Sequence, residues 1–113
     1  MTSKADAARY TALHAIGCIA CLIGAVKASG VIEMHHLVDK GTRKLSGGNK
    51  ATIPLCDWHH RGVPHIAVGK TYMRERFGPS MALEGKEFAK VYGSQRELLA
   101  RVNGLISGKI RRA

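Results

Sequence analysis

Apolar residues recur at helical intervals towards both ends of the chain and form short, dense runs in its middle. Ala8, Ala12, Leu13 and Ile16 lie three or four apart until Gly17 ends the run. Ser3, with Asp6 three residues on, forms an acidic variant of the capping box, so the pattern predicts a first helix. Residues 31–38, Val-Ile-Glu-Met-His-His-Leu-Val, are β-prone and predict a strand. A polar, glycine-rich stretch from Asp39 to Lys50 predicts a loop bearing Lys40, Arg43, Lys44 and Gly47-Gly48. A second short strand follows from Ala51 to Leu55. Cys56 to His60 predicts a brief helix, punctuated by Gly62 and Pro64. Short helices are expected over 68–77 and from about Leu83 to Tyr92. Ser94-Gln-Arg-Glu97 is a full capping box that opens a last helix, with Leu98, Leu99, Val102, Leu105 and Ile106 as its packing stripe.

This order predicts an α+β fold: a small ββα core flanked by N- and C-terminal helices. The chain's 113 residues suit one domain, with a core over about 14–66 and a helical part over about 67–113. No apolar run is long enough to span a bilayer, and Met1 to Asp6 carries no leader-like apolar stretch, so a soluble intracellular protein is expected. Aromatic residues make up only 5% of the chain, so a metal staple would help so thin a core.

Eighteen Lys and Arg against eight Asp and Glu give a net charge of +10, and the excess is spread over both halves rather than held in a tail. A compact basic domain points to a polyanionic partner, usually nucleic acid. Three cysteines in an intracellular chain argue for metal ligation rather than a disulfide framework.

Cys18-x-x-Cys21 and Cys56-x-x-His59 are two ligand pairs with the spacing of a structural zinc site, separated by a stretch long enough for a hairpin and loop. His35, His36, His60 and His65 remain. Neighbouring strand residues point to opposite faces, so His35 and His36 should have different roles. His60, one residue past a zinc ligand, is rotated by about 100° from it and should face a neighbouring site. Three imidazoles with an open position describe a catalytic metal, and one spare imidazole describes a base.

The order strand with His-His, loop, strand, Leu-Cys-x-x-His-His resembles the HNH, or ββα-metal, endonucleases. Glu33-Met34-His35-His36-Leu37 and Thr52 to Gly62 carry the resemblance, and Cys18 and Cys21 match the zinc-stapled form. More narrowly, the chain is similar to the phage-type RecA-dependent recombination-enhancement nucleases, the Ref family. There the core runs into Phe-x-x-x-Tyr-Gly and a capped leucine helix, matched by Phe88 to Gly93 and Glu97-Leu98-Leu99. The similarity covers roughly residues 14–106.

The resemblance implies a metal-dependent DNA endonuclease in phage recombination, acting in the cytoplasm of a bacterial host and encoded by a phage or prophage. A RecA-type recombinase filament is its implied partner besides DNA, and no membrane is. It implies His36 as general base and His35, His60 and His65 as ligands of a catalytic divalent cation: magnesium (Mg2+), manganese (Mn2+), nickel (Ni2+) or zinc (Zn2+). Cys18, Cys21, Cys56 and His59 would hold a separate structural Zn2+. The family's middle asparagine normally lies just before the second strand. Ala51 stands at about that point, and Asn49 is the candidate nearby. Pro64 implies that His65 lies in the turn beyond the helix.

His36 must be unprotonated to act, so cleavage should fall on acidification through the imidazole range near about 6.5. Arg43, Lys44, Lys50 and Arg61 surround the expected site and are candidates for phosphate contacts, fixing register without reading bases. Trp58, between zinc ligands, is expected to be a packed support. The alternative is a non-catalytic zinc-containing DNA-binding module, which explains the charge and the four zinc ligands but leaves His35, His36 and His65 idle.

Overall fold

The computed structural model describes residues 3–27, 31–65 and 68–108; the outermost parts of the expected 1–113 unit lie outside the described residues. Helix α1 (Lys4–Ile16) starts where Ser3 Oγ accepts the Asp6 amide and stops at Gly17, as the spacing predicts. Helix α2 (Ile19–Ile23) follows directly. Strands β1 (Ile32–His36) and β2 (Thr52–Cys56) pair antiparallel, with Ile32 opposite Cys56 and His36 opposite Thr52. Helix α3 (Asp57–Arg61) continues from β2 without a linker and ends at Gly62. Helices α4 (Lys70–Phe77), α5 (Gly85–Tyr92) and α6 (Gln95–Ile106) complete the chain, and α6 opens with both hydrogen bonds of the Ser94/Glu97 capping box. The fold is α+β, a two-stranded antiparallel sheet among helices.

Strand β2 is the centre of the packing. All five of its residues are buried, and it touches α1, α2, α3 and α6 as well as β1. Ile53 and Leu55 meet Leu13, Ile19, Leu37, Trp58, Leu98 and Val102 in one cluster. Trp58 is buried and its Nε1 donates to the Gly78 carbonyl at 3.0 Å, which makes it the packed support the sequence suggests. Among the described residues no helix is long and apolar enough to cross a membrane.

The loop between the strands is tied down rather than loose. Gly48 N donates to Arg43 O at 2.7 Å, Lys40 N donates to Ser46 Oγ at 3.0 Å, and Arg96 on α6 pairs with Asp39. The Arg96 guanidinium holds the Asp39 carboxyl below the usual carboxylate range. A 3-10 turn (Gly48–Lys50) then delivers Asn49 to the start of β2.

Candidate metal centres and active site

Two short helices each begin at a cysteine whose sulfur caps the first turn. Cys18 Sγ accepts the Cys21 amide at 3.4 Å ahead of α2, and Cys56 Sγ accepts the His59 amide at 3.4 Å ahead of α3. In each first turn the later ligand swings to the same side as the capping sulfur, so the two pairs converge. His59 Nδ1 lies 3.5 Å from Cys18 Sγ, 3.4 Å from Cys21 Sγ and 3.3 Å from Cys56 Sγ, and the Cys21 and Cys56 sulfurs are 3.9 Å apart. Tetrahedral zinc, with bonds of about 2.3 Å to sulfur and about 2.0 Å to nitrogen, spaces its ligands by about 3.5–3.8 Å. The four buried residues fit, and the cluster could hold a structural zinc ion.

The surroundings prepare these ligands. His59 Nε2 donates to the Phe77 carbonyl at 2.8 Å, so the lone pair is on Nδ1, facing the sulfurs. Tyr92 Oη donates to the same carbonyl at 2.6 Å, and burial raises its pKa to about 12. Gly78, at φ +88°, leaves room for that hydroxyl where any side chain would strike it. Hydrogen bonds with Cys21 and Cys56 hold the Cys18 thiol below its ordinary range, while the same kind of contact with Cys18 pushes the Cys21 thiol up. Three sulfurs this close lose their protons together only around a cation.

A second constellation lies where β1 meets α3. His35 Nδ1 and His60 Nε2 face each other at 3.2 Å, with ring planes at 67°. The outer nitrogens are both occupied. His60 Nδ1 donates to Glu33 Oε1 at 2.9 Å, and His35 Nε2 donates to Gln95 Oε1 at 3.0 Å. Burial lowers the His35 pKa, which favours the neutral ring. His36, the next residue on β1, turns away to Asn49, whose Oδ1 lies 2.9 Å from His36 Nε2. The alternation along β1 turns His35 and His36 to different partners, and the rotation between His59 and His60 turns one to the cysteines and the other to His35.

His65 does not join this pair. Its Nε2 lies 3.6 Å from Asp57 Oδ1, its ring packs edge-on to Phe77, and it groups with Cys56 and Asp57. Among the described residues no three-histidine group of His35, His60 and His65 forms. His65 thus stands apart from the other two members of the ligand set implied by the resemblance. Pro64 carries the chain off α3 towards the Cys56 side, so His65 lies beside Asp57 rather than His60.

Arg61 is exposed and paired with Glu33. Its guanidinium pairs with Glu33 at 2.7 Å through Nη2 and donates from Nε to both carboxylate oxygens, which lowers the Glu33 pKa. It braces the carboxylate that holds His60. Arg43, Lys44 and Lys50 are exposed on the loop and turn, and Arg43 is near enough for its charge to act on His35.

A family model described as recombination enhancement, RecA-dependent nuclease, matches residues 3–107. The chain belongs to this family. The match takes in α1 and α6 as well as the zinc-like cluster and both histidine-bearing elements, so the RecA-dependent nuclease family spans almost the whole chain. Within this family member, sequence reasoning missed Glu33, Gln95 and Asp6 as partners of site residues. Glu33 carried a local signal, a carboxylate two residues before His35 and so on the same strand face. Gln95 reaches His35 across 60 residues, and spacing along the chain carries no trace of that.

Proposed function

We propose that the protein is a metal-dependent DNA endonuclease of the HNH type, hydrolysing phosphodiester bonds with one catalytic cation. We further propose that it works in phage recombination, in the cytoplasm of a bacterial host, on DNA engaged by a RecA-type filament. Residues 1–113 would act as one nuclease domain. The supporting observation is the His35–His60 pair. Glu33 can only accept a proton and the Gln95 carbonyl faces His35, so both outer nitrogens carry hydrogen and both inner ones carry lone pairs. Two inward lone pairs 3.2 Å apart suit a shared positive charge, and a divalent cation is the one proposed here.

A divalent cation held by His35 and His60 would supply Lewis-acid stabilisation of charge on the phosphate and on the departing oxygen. His36, with its proton on Nε2 towards Asn49, would take a proton at Nδ1 from the attacking water. Glu33 and Gln95 would keep the two ligand rings oriented, and Arg61 would steady Glu33. Arg43, Lys44 and Lys50 would contact phosphates, with Arg61 left to its carboxylate.

Metal stoichiometry tests the proposal. The protein is expected to bind one ion tightly at the cysteine cluster and a second, weaker ion at His35 and His60. His60→Ala should weaken the second ion by more than about 100-fold while keeping the first and the melting temperature. A wild-type protein that takes up a single ion, or a variant that keeps both, would refute the ligand pair. DNA contact is tested separately by anisotropy on a duplex between 50 and 200 mM salt, taken as roughly the range over which counterion release is read. Replacing Arg43 and Lys44 together with alanine should make the salt slope shallower by about 2. An unchanged slope would remove both from the interface.

A further inference from the structure

We propose that Asp6, on the first helix, is a positioning residue for His36: it holds the Asn49 side chain in the orientation that leaves the His36 Nδ1 lone pair free. The inference rests on the reading of His36 as the base and adds to it a residue from outside the ββα core. Asn49 Nδ2 donates to Asp6 Oδ2 at 3.2 Å, while Asn49 Oδ1 accepts from His36 Nε2 at 2.9 Å. A carboxylate offers no proton, so the amide nitrogen must face Asp6 and the amide oxygen must face His36. His36 then keeps its hydrogen on Nε2. The flipped amide would set its oxygen against the Asp6 carboxylate and present its NH2 group to His36. That arrangement selects the tautomer with hydrogen on Nδ1, which cannot take a proton from water at that atom.

The same helix fixes the backbone of Asn49. Arg9 lies three residues after Asp6 and so on the same face of α1. Its guanidinium donates to Thr52 Oγ1 at 2.9 Å, to Thr52 O at 2.7 Å and to Asn103 Oδ1 at 2.8 Å. Thr52 Oγ1 in turn donates to the Asn49 carbonyl at 3.0 Å. Helix α1 thus grips Asn49 twice, at the side chain through Asp6 and at the main chain through Arg9 and Thr52. The Asn49 hydrogen bond is also the largest influence holding the Asp6 carboxyl below its ordinary range.

The test is a long-range proton–nitrogen NMR spectrum of the zinc-loaded protein at neutral pH, read alongside DNA-cleavage kinetics. Wild-type His36 is expected to carry its proton on Nε2 alone. Asp6→Ala should give a mixture of tautomers and lower kcat by about tenfold with KM within about twofold, the pattern of a misplaced base. Asp6→Asn can offer Asn49 either an oxygen or an NH2 group, so it no longer forces the amide and should give a tautomer ratio and kcat between those of wild type and Asp6→Ala. A single Nε2–H tautomer in Asp6→Ala with unchanged kcat would overturn the proposal, as would a wild-type His36 protonated on Nδ1. The spectrum judges the Asp6–Asn49–His36 chain whether or not the protein cuts DNA, so a protein that never cuts counts against the nuclease reading alone.

Discussion

Cys56→Ser is expected to leave a chain that does not hold its fold at neutral pH even with zinc supplied. Cys56 ends β2, caps α3 with its sulfur, and faces Cys21 and His59 in the buried cluster, so three elements are joined at one side chain. Structural zinc in small domains contributes roughly 10–16 kcal/mol, as much as or more than the roughly 5–15 kcal/mol that separates a folded domain from its unfolded chain. The core offers little in compensation, since Trp58, Phe88 and Tyr92 are its only buried aromatics among the described residues. Circular dichroism with zinc analysis checks the expectation. Loss of helix signal together with loss of zinc supports it. A variant that melts at the wild-type temperature without zinc would mean that the sulfurs are packing groups only.

His36→Ala is expected to slow DNA cleavage by about 100- to 10,000-fold, the contribution of a placed general base. The fold and the proposed metal content should persist, because His36 is half-exposed at the end of β1 and bonds to Asn49 rather than to the cysteine cluster or the His35–His60 pair. Residual cutting should still need the second ion, which His35 and His60 would go on holding. Nicking rates at saturating DNA measure the effect. A loss of less than about tenfold would place the base elsewhere.

The parts of this protein that were legible in its sequence are those set by neighbours along the chain. A two-residue gap at a helix start brings Cys18 to Cys21 and Cys56 to His59 whatever the rest does. Strand alternation and helical rotation separate His35 from His36 and His59 from His60 for the same reason. Helix α2 was not legible, because five residues show no helical period and the turn forms around the Cys18 sulfur that caps it. The asparagine was ambiguous because the 3-10 turn at Gly48–Lys50 advances the chain just before β2, which lets Asn49 rather than residue 51 reach His36. The place of His65 beside Asp57 was not legible, because a proline turn directs a chain in three dimensions and the distance to His60 along the sequence says nothing of that. Gln95, Asp6 and Arg9 act across 60, 43 and 43 residues, and only the folded chain brings them to the site.

His35, His36 and His60 are proposed to form a phosphodiester-cleaving centre. The most direct measurement is conversion of supercoiled plasmid to nicked and linear forms by zinc-loaded protein, with a recombinase filament supplied on the DNA. Wild type and His36→Ala would be compared with added divalent cation and with a chelator too weak to strip the cysteine cluster. Wild type should cut only with the added cation, and the variant should not cut. Equal cutting by both proteins, or none by either with cation and filament present, would contradict that proposal.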